Sequence, residues 1–386
     1  MNTFQYELKT KTYFGKDAAK NNLPAELNKV GHTVMFAYGG GSIKKNGIYD
    51  EIKGILEDAG KEIVEFSGIM SNPTYKKVQE GAKLAKEKNV DFILAVGGGS
   101  VIDCCKIISV QAKLEADIFD YENVDKKIPT EGIEMGAIVT ASGTGAEMNN
   151  GAVITHEEKN IKGPLWGTQA SFAILDPYYT KSLPMKQVIS GAFDTLSHCM
   201  ETYLGSPRVP NLSDRINESI MSLVVENMRK LLVDAYDMEA RSELMWASAM
   251  AENGILKIGK VTDFQAHMIE HQLGAYTDCN HGQGLAVIHP VLYRHMYKES
   301  VPQFARLARE VWHVDETNKT EEEIALAGID ALADFIKEMG LPTTLKEMNI
   351  DDADMLRKVA DTSILTPGCC KKFERDEIFE ILKECL

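Results

Sequence analysis

Residues 91–103 read DFILAVGGGSVID, and this stretch decides the fold class. Ile93–Val96 is a short apolar run of strand length, stopped by Gly97-Gly98-Gly99-Ser100 and followed by a helix-like segment. Glycines at that point let the backbone turn sharply and approach a ligand with no Cβ in the way. The helix N-terminus beyond them offers N–H groups and a positive dipole end to a phosphate. Ser100 and Asp103 also fit the looser form of a capping box. The same punctuation occurs earlier, where Val34–Tyr38 runs into Gly39-Gly40-Gly41-Ser42. One such turn is equally well read as a tight strand-to-helix connection. Two at the carboxyl ends of two strands mark the edge where open parallel sheets bind ligands. The spacing is not G-x-G-x-x-G, so a variant dinucleotide site is expected. A third polar loop, Thr140-Ala141-Ser142-Gly143-Thr144-Gly145, supplies hydroxyls and glycines suited to a phosphate or ribose.

Outward from these turns, apolar runs at Thr33–Tyr38, Glu62–Phe66, Asp91–Val96 and Met135–Thr140 alternate with amphipathic stretches such as Ile43–Ala59 and Tyr75–Lys88. That order predicts a parallel sheet covered by helices. After Pro184 the pattern becomes helical throughout, with 3.6-residue periodicity at Asn211–Ala235, Met238–Ala251, Glu321–Met339 and Ala353–Thr362. The expected organisation is an α/β dinucleotide-binding domain over residues 1–184, then an all-helical metal-binding and catalytic domain over 185–386, with a cleft between them.

A formal net charge of −15 leaves no excess of Lys and Arg for phosphate contacts, which argues against a nucleic-acid partner. The seven cysteines form no C-x-x-C pair and read as reduced thiols, hence a cytoplasmic protein. No apolar h-region opens the sequence and no apolar run is long enough to span a membrane.

The helical half holds a second cluster. Asp194 and His198 are spaced i, i+4 on one helix face, as are His267 and His271, and His281 follows in a glycine-rich turn. An Asp with several imidazoles is a mixed N/O set suited to Fe²⁺ or Zn²⁺. A lone His on a helix is more often a core or surface residue than a ligand. Four of the nine histidines, however, sit in this one set. The residues alone do not say which histidine stays off the metal. A rival reading takes His267-Met268-Ile269-Glu270-His271 as the H-x-x-E-H metallopeptidase pattern, with Glu270 as general base. It leaves both glycine turns without a role.

At Phe14-Gly15-Lys16, Asn72-Pro73-Thr74, Gly97–Asp103, Gly143–Glu147, Leu175–Glu201 and His267–Gly282, the chain resembles the iron-containing alcohol dehydrogenase family, and within it the butanol dehydrogenase-like, broad-range aldehyde reductase branch. The resemblance runs over essentially the whole chain. It implies metal ligation by Asp194, His198, His267 and His281, with His271 beside the substrate as a proton-relay group. It implies that Gly97, Gly98, Gly99 and Ser100 hold the pyrophosphate. Gly39, Gly40, Gly41, Ser42, Asn72, Thr140, Ser142, Thr144, Asn149 and Lys162 then line the rest of the cofactor groove, and Asp103 lies near the nicotinamide. Many relatives carry an Asp near Gly40, a feature tied to NAD. Its absence here, with Lys44 and Lys45 close by, favours NADP(H) over NAD(H). Cys279 and Phe264 depart from the family pattern without touching an implied ligand. The alternating segment Phe4–Phe14 is expected to pair with a second copy in a homodimer.

The expected function is hydride transfer between NADP(H) and a primary alcohol or aldehyde of butanol/butyraldehyde type, with Fe²⁺ or Zn²⁺ polarising the substrate oxygen. A dehydroquinate synthase-like lyase is the other alternative. It calls for basic residues around a phosphorylated substrate, and the metal region is poor in them.

Overall fold

The strand–glycine–helix rhythm of the first half becomes a six-stranded sheet in which every neighbouring pair is parallel. The structure is a computed structural model and describes residues 2–386. In chain order the elements are β1 (Lys11–Phe14), α1 (Ala18–Leu27), β2 (Thr33–Tyr38), α2 (Ser42–Lys45), α3 (Ile48–Asp58), β3 (Glu62–Phe66), α4 (Tyr75–Glu87), β4 (Phe92–Gly97), α5 (Gly99–Gln111), α6 (Ile118–Asn123), β5 (Glu134–Val139), β6 (Gly151–His156), β7 (Ile161–Trp166) and β8 (Phe172–Leu175). The sheet order is β1-β8-β5-β4-β2-β3, while β6 and β7 form a separate antiparallel hairpin. Phe36, Phe92, Phe172, Leu94 and Ile138 are fully or almost fully buried under the helices, as strands covered on both faces must be.

The connection from β3 returns past β2 to β4, so the winding reverses between β2 and β4. Register puts Tyr38 opposite Val96 and Gly97 opposite Val139, so the glycine turns after β2 and β4 and the loop after β5 emerge at one edge. That reversal is the position at which doubly wound sheets bind ligands.

Several expectations are corrected. The single helix expected over Ile43–Ala59 is two, α2 and α3, because Gly47 adopts φ +83° and interrupts the helical backbone. The capping box at Ser100/Asp103 does not form. Gly98 is the N-cap of α5, the Ser100 hydroxyl donates to the carbonyl of Ser71, and Asp103 accepts the backbone N–H of Val153 at 2.9 Å. Of the alternating segment Phe4–Phe14, only Lys11–Phe14 is strand.

The rest of the chain is helical: α7 (Met185–Tyr203), α8 (Leu212–Val233), α9 (Met238–Glu252), α10 (Gln265–Thr277), α11 (His281–Met296), α12 (Val301–Glu310), α13 (Glu321–Glu338), α14 (Ala353–Thr362) and α15 (Arg375–Glu384). Their apolar stripes meet in one core that includes Phe193, Leu196, Met228, Leu273, Leu292 and Phe335. The chain divides into two compact units, Glu7–Leu183 and Pro184–Leu386, the second also including the segment that ends at Tyr6. Among the described residues, no helix is long and apolar enough to cross a membrane.

Candidate active site

In the sheet unit, Gly39, Gly40 and Gly41 follow β2 and Ser42 opens α2. Space is open where a side chain on Gly40 or Gly41 would point, and Gly41 has φ +109°. Lys44 lies over the rings of Tyr38 and Tyr49, with its Nζ 4.0 Å from Glu65. Gly97 ends β4, Gly98 caps α5, and Gly99 and Ser100 are the first residues of that helix. A Cβ on Gly99 would lie 2.2 Å from Thr144 Oγ1, so the loop carrying Thr140, Ser142 and Thr144 seats against α5 only because residue 99 is glycine. Asn72 precedes a segment pinned to the hairpin by the Thr155 N–H, which donates to the Pro73 carbonyl at 2.9 Å. Lys162 is buried on β7 opposite Thr155.

Sequence reading missed one residue of this edge. Lys106, one turn beyond Asp103, is fully buried. Its ammonium donates to Asn149 Oδ1 at 3.1 Å and to the Gly151 carbonyl at 2.6 Å, and lies 3.5 Å from Asp103 Oδ1. It ties α5 to the start of β6 and fixes Asn149. The signal available in the sequence is a lysine three residues after an aspartate within the otherwise largely apolar stretch Val101–Val110.

In the helical unit, Asp194 and His198 come from α7, His267 and His271 from α10, and His281 is the first residue of α11. Asn280 caps α11 by accepting the Gln283 N–H at 3.1 Å. Gly282 lets that helix end press on α7, since a Cβ there would lie 2.2 Å from the Ser190 carbonyl. Three imidazole Nε2 atoms then converge on one oxygen: Asp194 Oδ1 is 3.3 Å from His281, 3.5 Å from His198 and 3.6 Å from His267. Asp194 Oδ1 and His267 Nε2 are buried with no hydrogen-bond partner. These separations exceed an ordinary N–H···O bond of about 2.9 Å. They match the edge of about 3.3 Å between ligand atoms held tetrahedrally at about 2.0–2.1 Å from an ion. The donor set therefore fits a divalent metal. His271, 5 % exposed, stands to one side with its ring 5.2 Å from that of His281. Phe264 walls the group, its ring 5.1 Å from His267 and 5.6 Å from His198.

Behind each of the three imidazoles lies a buried glutamate; sequence reading singled out only Glu270, and in a different role. Glu252, the last residue of α9, is 2.8 Å from His198 Nδ1, while Glu201 meets His267 Nδ1 and Glu270 meets His281 Nδ1. Glu201 sits three residues after His198, on the same helix face, which is the one signal available in the sequence. Glu270 is fully buried against His281, which removes it as the solvent-facing general base that a peptidase reading requires.

Electrostatics follow from this arrangement. Burial alone raises the Asp194 carboxyl, but the imidazoles of His281, His198 and His267 that face it hold it well below the usual range. Burial lowers His267, and the Glu201 and Asp194 carboxylates reverse this and push it up to about 10.

Comparison with known proteins agrees with both halves. Residues 9–177 match the family model described as iron-containing alcohol dehydrogenase, and residues 188–386 match that of the family's C-terminal region. The chain belongs to the iron-containing alcohol dehydrogenase family. Within the family, it is 38% identical over 391 residues to probable NADH-dependent butanol dehydrogenase 1 of Bacillus subtilis, covering 100% of both chains. It is 33% identical to the NADPH-dependent aldehyde reductase YqhD of Escherichia coli, covering 95% of each. Among solved structures, NADH-dependent butanol dehydrogenase A of Thermotoga maritima superposes with a TM-score of 0.93 at 32% identity, over 100% of this chain and 99% of that one. The chain is thus an oxidoreductase of the alcohol dehydrogenase class, with the parallel-sheet half followed by a helical half that the family shares.

Proposed function

We propose that the protein reduces short aliphatic aldehydes of the butyraldehyde type to primary alcohols, and runs the reverse oxidation, with NADP(H) preferred to NAD(H). The observation that carries this reading is the convergence of three Nε2 atoms on Asp194 Oδ1, opposite in character to the glycine-lined edge of the sheet unit. Residues 1–184 serve as the cofactor-binding half and residues 185–386 as the metal-binding half. When bound, Fe²⁺ or Zn²⁺ supplies a Lewis acid for the substrate oxygen and the nicotinamide supplies the hydride. Asp194, His198, His267 and His281 hold the metal. Gly97, Gly98, Gly99 and Ser100 receive the pyrophosphate, and Thr140, Ser142, Thr144, Asn149, Asn72 and Lys162 orient the remainder of the cofactor. Asp103, tied to Val153, stands toward the nicotinamide end. His271 moves the proton that completes the alcohol. NADP(H) is favoured because Gly39-Gly40-Gly41-Ser42 carries no carboxylate to repel a 2′-phosphate and is followed by Lys44 and Lys45.

The butanol dehydrogenase names of several relatives support the substrate class. Exposed Phe4, Tyr6 and Leu8, which precede edge strand β1 in the sequence, support a homodimer formed through this segment. Seven cysteines with no disulfide between them support a reducing, cytoplasmic setting.

The test follows NADPH and NADH absorbance with butyraldehyde and metal-reconstituted protein, beside His267→Ala. Oxidation of NADPH that vanishes in the variant is expected, the loss being roughly 10³-fold or more if the Lewis acid contributes several kcal/mol. A higher kcat/KM with NADH overturns the cofactor preference alone. No turnover with either cofactor overturns the reading.

A further inference from the structure

We infer that Glu201, Glu252 and Glu270 are positioning residues that select one tautomer in all three imidazoles and thereby set how tightly the centre retains its metal. The inference rests on the ligand set proposed above and extends it to groups that never touch the ion. Each carboxylate takes the hydrogen of Nδ1, so the in-plane lone pair on Nε2 is the one left to bind. Without that second bond a ring is free to rotate or to carry its hydrogen on Nε2, and either change removes a donor from the set.

The three carboxylates are themselves held, in three different ways. Glu201 also accepts the backbone N–H groups of Ala266 and His267, at 2.7 and 3.1 Å, so the start of α10 and the His267 ring share one anchor. Glu252 is bound from its other side by Lys257 Nζ at 2.7 Å. Glu270 is fixed by packing, because a Cβ on Gly284 would lie 2.8 Å from its Cγ. With Asp194, four buried carboxylates gather around one cation position. That concentration of carboxylates favours a divalent ion and disfavours its release.

Replacing a carboxylate by Gln keeps an acceptor for Nδ1–H but removes the charge, whereas Ala removes both. The comparison uses full-length protein loaded with Co²⁺, whose d–d absorption reports ligand geometry and whose release to EDTA reports retention. Glu252→Gln and Glu270→Gln are expected to keep the wild-type spectrum and release Co²⁺ several-fold faster. Glu252→Ala is expected to weaken Co²⁺ binding by about 10- to 100-fold and to change the spectrum. Glu252 closes the end of α9 beside partly exposed Lys257, and Glu252→Gln keeps its size and shape, so the experiment holds through this variant even if the Ala or Glu270 variants do not fold. If Glu252→Ala, folded by circular dichroism, keeps the wild-type spectrum and release rate, the inference is wrong while the centre stands. If wild-type protein takes up no Co²⁺, Zn²⁺ or Fe²⁺, the centre itself is wrong and this inference falls with it.

Discussion

The sheet unit and the helical unit build their candidate sites from opposite materials. At the carboxyl edge of β2, β4 and β5 the sheet unit places backbone, with open space beside Gly40 and Gly41 and close packing at Gly97–Gly99. In the helical unit it is side chain, with one carboxylate and three imidazoles carried by α7, α10 and α11 and braced by three glutamates. Buried carboxylates show the same contrast. Burial pushes Glu147, in the sheet unit, up to about 7 despite nearby Lys106. Asp194, equally buried, is held well below its usual range because imidazoles face it. Burial alone does not decide the charge of an acid. What decides it is whether the fold brings cations to the same place.

Four substitutions sharpen or break this contrast, taken from the largest expected effect. Lys106→Met removes the cation that offsets Asp103 inside the sheet unit and should destabilise that unit by about 3–5 kcal/mol in denaturant unfolding, with Co²⁺ uptake by the helical unit unchanged. Equal loss of metal would show that the two halves do not behave separately. Gly282→Ala drives a Cβ toward the Ser190 carbonyl and should cost about 1–3 kcal/mol, seen as lower metal content after dialysis with cofactor affinity retained. Gly99→Ala meets Thr144 instead, and the mirror-image result is expected: an increase of about 10-fold or more in cofactor KM with an unchanged Co²⁺ spectrum.

The smallest effect concerns pH. Burial pushes Glu147 up to about 7 from the usual 4.5, so between those pH values the folded chain holds a proton that the unfolded chain has lost. Its stabilising contribution is therefore complete below about 4.5 and is lost as pH rises through about 7. Glu147→Gln should flatten the stability-versus-pH curve over that window, and a parallel curve for variant and wild type would contradict the assignment.

Legibility in the sequence followed the same division. Strands β2 and β3 appear with the expected bounds: β2 is an apolar run closed by Gly39, and β3 sets Ile63, Val64 and Phe66 ahead of Ser67-Gly68. The hairpin β6–β7 was not foreseen, since its strands are interrupted by Thr155 and Lys162 and include Gly163 and Pro164. The helix break at Gly47 was overlooked because the amphipathic pattern continues across it. Among the site residues, the i, i+4 pairs place Asp194 with His198 on local geometry alone. Glu252 lies 54 residues from His198, and no periodicity connects them. Long-range partners of that kind become visible only once helices pack.

The division of the chain into units has a consequence for how the protein is made. The segment ending at Tyr6 belongs with the helical unit: Asn2 donates its N–H to the Gly259 carbonyl at 3.1 Å, and a Cβ on Gly254 would lie 3.6 Å from the Tyr6 ring. The sheet unit is thus an insertion within the sequence of its neighbour. On the ribosome, Glu7–Leu183 is complete and free to fold first, as N-terminal units do. Residues 2–6 must wait, unplaced, for a surface that is translated more than two hundred residues later. They leave the ribosome long before their partner exists.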